Sequence, residues 1–151
     1  MFRPLRRIDK QMPYEESVAL LNRGREGILG TLGDHGYPYT VVVNYVYFQD
    51  KIYFHCAKEG HKIDNINNYN KVSFSVYDKV EIVGEQLNTH YQSILVFGKA
   101  KVIPATLEIL LAIIHKYSDL ELDKATKYIE KEIMDTAIVE IEIEYLSGKK
   151  G

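Results

Sequence analysis

Ile52-Tyr-Phe-His-Cys-Ala-Lys-Glu-Gly-His-Lys-Ile-Asp-Asn-Ile66 runs a strand into a glycine-containing turn and out again as a short polar helix. Ile52, Phe54 and Cys56 fall on one face of the strand and Tyr53, His55 and Ala57 on the other, by the period of two. Lys58-Glu59-Gly60 breaks the alternation, and Ile63 and Ile66 then recur at helical spacing among Asp64, Asn65, Asn67 and Asn68. An anion held at this junction would meet the free backbone N–H groups of a helix start, with His61 and Lys62 adding side-chain donors. Gly60 lets the backbone approach a ligand closely or adopt positive φ. A solvated turn is the competing reading of Gly60-His61-Lys62, so the flanking chain has to decide between them.

Outward from this segment the chain reads mostly as strands. Glu26 to Leu32 is strand-like, Gly33-Asp-His-Gly36 is a hairpin turn, and Tyr37 to Phe48 is one long β-branched and aromatic strand. Gln49-Asp50 turns into the Ile52 strand. Lys71 to Tyr77 alternates cleanly, Ser93 to Ile103 forms another long strand, and Ala137 to Tyr145 closes the set. Glu140, Glu142 and Glu144 share a face of that last strand, which is expected to be solvated or a sheet edge guarded by charge. Helices are expected from Pro13 to Arg23, with proline at its first turn, from about Ala105 to Tyr117, and from about Lys124 to Met134. Six strands with short connections and few helices predict a mainly β fold with flanking helices, a six-stranded antiparallel barrel in a single domain over 1–151.

Composition narrows the function. The 151 residues are 46% hydrophobic with a formal charge of −2, so the chain buries a core and has no global field for nucleic acid or anionic membrane. Arg3, Arg6 and Arg7 form only a small basic cluster, read as a solvated arm or a subunit contact. One cysteine excludes an internal disulfide framework and a four-cysteine zinc site, and a reducing cytoplasm is the expected location. The start lacks an apolar signal core, and Ile109 to Ile114 is too short an apolar run to span a bilayer. His55, Cys56, His61 and His90 match no standard zinc spacing, so no metal site is expected.

In its order of elements the chain resembles the flavin-binding split-barrel superfamily of pyridoxamine 5′-phosphate oxidase, and within it the nitroimidazole-resistance (Nim-like) flavoproteins. The residues that carry the resemblance are Phe2 to Arg7, Gly36 to Tyr39 with Val43 to Tyr47, Ile52 to Lys62, Val72 to Phe74 and Tyr91 to Ala100. The resemblance implies FMN as cofactor, its phosphate gripped by Lys62 and by His61, which stands where the oxidases carry arginine. Histidine titrates near neutrality, so the implied phosphate affinity is sensitive to pH. By the same resemblance His55, Cys56 and Ala57 lie beside the flavin, the strand of Val42, Val43 and Asn44 faces its ring, and Tyr91 and Ser93 reach it from the partner in a homodimer with FMN at the subunit interface.

Without the resemblance, His55 reads as an interior histidine, Cys56 as a small buried hydrophobe, and the tyrosines as strand and interface material. No side chain is identified as catalytic. The expected activity is that of an oxidoreductase passing electrons from a small-molecule donor to a small acceptor, with reduction of nitroimidazoles or other nitroaromatics as its sharpest form. Pyridoxamine phosphate oxidation is disfavoured, because the oxidase's C-terminal arginine motif is missing and the sequence ends in Ser147-Gly-Lys-Lys-Gly151. A non-enzymatic flavin- or heme-binding protein on the same barrel is the alternative, and FAD or a deazaflavin in place of FMN stays open.

Overall fold

A computed structural model describes all 151 residues. Four helices and seven strands follow one another along the chain: α1 (Tyr14–Arg23), β1 (Glu26–Leu32), β2 (Pro38–Asn44), β3 (Val46–Phe48), β4 (Lys51–Ala57), α2 (His61–Asn68), β5 (Lys71–Val83), β6 (Asn88–Pro104), α3 (Leu107–Tyr117), α4 (Leu122–Glu132) and β7 (Thr136–Lys150). All pairings are antiparallel, in the spatial order β2-β1-β5-β6-β7-β4-β3. The two edge strands, β2 and β3, are separated in sequence by Tyr45 alone. A sheet whose opposite edges are joined by one residue has to curl until those edges meet, and the result is a split barrel.

The strand count therefore corrects the expectation of six. Tyr37 to Phe48 reads as one run because no glycine or proline interrupts it after Pro38, yet it divides at Tyr45. Contacts remote in sequence make the break. The Tyr45 backbone N–H donates to the Tyr117 hydroxyl at 3.0 Å, and the Tyr45 carbonyl accepts from that hydroxyl at 2.6 Å and from Lys116 Nζ at 3.0 Å. The end of α3 thus satisfies backbone groups that would otherwise leave the ladder unpaired. The Lys116 ammonium also lies 3.9 Å from the centre of the Tyr45 ring, and burial, with the nearby Arg25 charge, brings its pKa down to about 8.

Two apolar clusters hold the elements. The larger, of 17 buried side chains, fills the barrel with Leu29, Ile52, Phe54, Phe74, Val96 and Ile141 among them. The smaller, of 7, seals α3 and α4 against the outer face of β3, β4 and β7 through Val46, Tyr53, Ile113, Ile129 and Ile138. The period of two on β4 is realised in this division: Ile52 and Phe54 point into the barrel, and Tyr53 points toward the helices.

On β7, Glu142 and Glu144 are exposed as expected of a solvated face, but Glu140 is buried and the strand is not an edge. It lies inside the sheet between β6 and β4, and a register shift at Phe97/Gly98 leaves Glu144 without a partner residue on β6. Glu140 is buried, its carboxylate 3.3 Å from Lys51 Nζ and 3.4 Å from Lys101 Nζ, and it accepts a hydrogen bond from Tyr53 Oη at 3.2 Å. Burial pushes this carboxyl up, but its three partners outweigh burial and hold it below the ordinary value. A folded pKa below the unfolded one adds stability above the usual carboxylate range and loses it as pH falls through the folded value. Glu140→Gln is expected to cost about 1–3 kcal/mol at neutral pH, toward the low end because both lysines are partly solvated. Denaturant titrations of both proteins should converge in acid, where wild-type Glu140 is itself protonated.

Candidate functional site

The β4–α2 junction is held from below. Ile63 and Ile66 are buried in the barrel core, and buried Asn65 donates from Nδ2 to Thr31 Oγ1 on β1 at 3.1 Å. Those anchors fix where α2 begins. Gly60 precedes its first residue at φ +147°, a conformation that side chains strain to adopt, with nothing crowding its α-carbon. No side chain caps this helix start, so its first N–H groups face the turn without an internal partner.

His61 and Lys62 occupy the first turn but differ in surroundings. The His61 ring lies 4.3 Å from Tyr39 of β2, and its Nε2 is 3.5 Å from the Asp34 carboxylate in the β1–β2 turn. Asp34 therefore competes with any anion for His61. Lys62 is half-buried and enters none of the chain's ion pairs. Its charge reaches the Cys56 thiol, where it partly offsets the burial that pushes that thiol up.

A cavity of about 800 Å³ opens beside β4, within the range of about 300–1,000 Å³ in which small molecules are enclosed. Asn44, His55, Cys56, Ala57 and Thr136 form its strand wall. Its other wall comes from α3 and α4, through Ile113, Tyr117, Tyr128 and Ile129. Burial lowers the His55 pKa below its ordinary value, so that imidazole is neutral at pH 7 and offers one donor and one acceptor. Asn44 Nδ2 donates to the Arg25 carbonyl at 3.0 Å, which fixes the amide and leaves its oxygen as an acceptor. The Tyr117 hydroxyl oxygen also lies 2.5 Å from the Arg25 carbonyl, which shares its single proton with the Tyr45 carbonyl, and so ties the cavity to the Tyr45 corner.

The structure gathers only some of the expected residues. Asn44, His55, Cys56 and Ala57 share the cavity, and His61 and Lys62 stand just past Ala57 at the head of α2. On β2, Val42 is exposed on the outer face with Asn44, whereas the Val43 side chain turns inward against the barrel core and can present only its backbone to a ligand on the other side. Tyr91 and Ser93 are not brought to the cavity within one chain. Cys56 pairs with Ala137, which pairs with Pro104, and Ser93 and Tyr91 lie roughly 36–43 Å back along β6 from that point. Tyr91 packs instead at the chain's end, its carbonyl accepting from the Gly151 N–H at 3.0 Å. His90 is there too, with Nδ1 3.4 Å from the Gly151 oxygen, and no three His, Cys, Asp or Glu side chains cluster as a metal site.

Sequence reasoning missed Arg25, Tyr117, Tyr128, Glu132, Asp135 and Thr136 at this cavity. They come from a loop, a turn, two helices and a strand end, and the only local signal was the apolar stripe of α3. No curated protein matches the chain in sequence. The family model for pyridoxamine 5′-phosphate oxidase matches residues 13–150. The chain belongs to this family. Within the pyridoxamine 5′-phosphate oxidase family fold it is similar to a candidate 5-nitroimidazole antibiotic resistance protein from Bacteroides thetaiotaomicron, at 19% identity and TM-score 0.75, covering 93% of this chain and 86% of that one. It is likewise similar to a FAD-binding protein from Mesorhizobium loti, at 21% identity and TM-score 0.68, covering 94% and 97%. A FAD and heme binding protein from Mycobacterium smegmatis shares 19% identity at TM-score 0.76, covering 94% and 73%. At these identities the likeness is one of fold, the split barrel. No helix of the chain is long and apolar enough to cross a membrane.

Proposed function

We propose that this chain is an FMN-binding flavoprotein, acting as a homodimer, that passes electrons from a reduced small-molecule donor to a small acceptor. The observation that carries the reading is the junction of an uncapped helix start bearing Lys62 with a cavity walled by β4. One end of that arrangement suits a phosphate, and the other suits a flat apolar ring with polar edges. Family membership and the FAD-binding neighbours support a flavin.

Lys62 and the α2 N–H groups would hold the phosphate, with His61 assisting when it leaves Asp34. Ala57, Val42 and the backbone of β4 would flank the ring, while the Asn44 amide oxygen and neutral His55 would meet its polar edge. Bound FMN supplies the electron transfer, and no side chain here needs to form a covalent bond with substrate. What the protein does is orient the ring, exclude water through Ile113 and Tyr117, and tune the ring by hydrogen bonds. Tyr91 and Ser93, remote from the cavity of their own chain, would reach the site from the second copy.

Similarity to the Bacteroides protein favours a nitroimidazole as the acceptor. Two experiments test the reading. Adding the purified protein to FMN should quench the flavin's fluorescence until one FMN is bound per chain, and the reduced complex should then consume a nitroimidazole anaerobically. Protein that takes up no FMN overturns the proposal, and a Soret band in its place makes the chain a heme binder.

A further inference from the structure

The helices leave one outer face of the sheet bare. α1 and α2 send Leu20, Leu21, Ile63 and Ile66 into the barrel core, and α3 and α4 cover β3, β4 and β7. On β2, β1, β5 and β6 the inward side chains are Val43, Leu29, Phe74, Val76, Ile94 and Val96, so Val42, Ile28, Ser75 and Leu95 point outward by the period of two. Strand pairing sets these four in one row, Ile28 opposite both Val42 and Ser75, and Ser75 opposite Leu95. Tyr77 and Ile82 extend the same face along β5, because their partners on β6, Ser93 and Thr89, are four residues apart. Val42, Tyr77 and Ile82 are exposed, which makes the face an apolar patch without a partner inside the chain.

The patch is complementary to itself. A two-fold axis along the seam between β1 and β5 lays β1 of one copy on β5 of the other and β2 on β6, so Ile28 meets Ser75 and Val42 meets Leu95. Continued along both strands, the same register sets Glu26 against the hydroxyl of Tyr77 and Lys71 against Leu32, so no like charges meet. Four strands about 4.8 Å apart and roughly 20 Å long present roughly 400 Å² of flat face, and Tyr77 and Ile82 carry the contact on toward the roughly 800 Å² per partner of a stable pair.

We propose that two copies of this chain pack the outer faces of β2, β1, β5 and β6 about this axis, and that Lys149 of the second copy closes the cavity beside β4. The axis brings Ser93 of the second copy level with Asn44 at the cavity wall, and Tyr91 of the second copy past the end of β2. Lys149 pairs with Ser93 one strand farther out, its ammonium 5.6 Å from the centre of the Tyr91 ring and in no ion pair, so it stands over the gap where the edges β2 and β3 meet. Two barrels touching along the β1–β5 seam curve apart toward that gap, which leaves room for a ligand beneath Lys149. The interface depends on the sheet face alone, and only what the cavity holds rests on the flavoprotein reading.

The test mixes two forms of the full chain, one isotope-labelled for amide NMR and the other carrying a nitroxide at Lys149→Cys in a Cys56→Ser background. In exchanged dimers the nitroxide is expected to broaden the amide signals of Asn44 and Ala57 in the labelled copy. Within one chain Lys149 lies about 40 Å along β7 from Thr136, the residue opposite Ala57, so broadening at Ala57 comes from the second copy. Leu95→Arg enters the interface twice and should raise the dimer dissociation constant at least about 100-fold in sedimentation equilibrium, abolishing the broadening while circular dichroism is unchanged. A monomeric wild type overturns the proposal, as does broadening confined to other residues or a dimer that survives Leu95→Arg. A dimer showing these effects that takes up no FMN would sink the flavoprotein reading and leave the interface standing.

Discussion

Phe74→Ala is expected to lower the unfolding free energy by about 3–5 kcal/mol, the largest effect of any single truncation considered for this barrel. Phe74 is fully buried in the centre of the larger core, and its ring meets that of Tyr45 edge-on, with centroids 5.1 Å apart. It also fills the space opened by Gly27, where an added Cβ would come within 2.1 Å of the ring. Truncation therefore removes apolar burial, leaves a cavity lined by β1 and β5, and withdraws an aromatic partner from the residue that joins the two sheet edges. Denaturant unfolding followed by circular dichroism should show a lower midpoint with an unchanged slope. A loss under about 1 kcal/mol would mean that the core closes around the missing ring and that the Tyr45 corner does not depend on it.

Lys62→Ala should leave that stability within about 0.5 kcal/mol of wild type and raise the FMN dissociation constant about 10- to 150-fold. The magnitude follows from losing one charge-assisted contact to phosphate, worth about 1.5–3 kcal/mol. Lys62 is the appropriate side chain to remove, because His61 shares its Nε2 with Asp34 whereas Lys62 has no carboxylate partner. Fluorescence titration of both proteins at one salt concentration measures the ratio. An unchanged affinity would place the phosphate elsewhere than the head of α2.

Much of this arrangement was legible in the sequence where local periodicity and burial agree. β1 from Glu26 to Leu32 and the β4–α2 junction read correctly because alternation, Gly60 and the Ile63/Ile66 spacing all act within a few residues. The division of Tyr37 to Phe48 did not, because its cause lies in Lys116 and Tyr117, some seventy residues away, and a β-branched run carries no mark of hydrogen bonds to a remote helix. The β5–β6 hairpin extends past Tyr77 and before Ser93, through residues whose alternation is interrupted by a bulge between Asp78 and Glu81. Glu140 was mistaken for surface because pattern alone cannot see Lys51, Lys101 and Tyr53 converging on it from β4 and β6.

The site divides in the same way. Asn44 and His55 to Ala57, which the resemblance placed beside a flavin, do line one cavity wall, although Asn44 comes from β2 and the others from β4. The helix wall was not legible, because Tyr117, Tyr128 and Glu132 enter it only through the packing of α3 and α4 on the outer sheet face. The roles proposed for Tyr91 and Ser93 require a second copy of the chain, because within one chain they stand at the far end of β6.

The most direct test of the account compares FMN with riboflavin, which lacks only the phosphate, on wild type and on the Lys62→Ala variant. The account predicts that wild type binds FMN at least about tenfold more tightly than riboflavin, and that this preference shrinks in the variant while riboflavin affinity stays the same. Wild type that binds both flavins equally, or that binds neither, would contradict it.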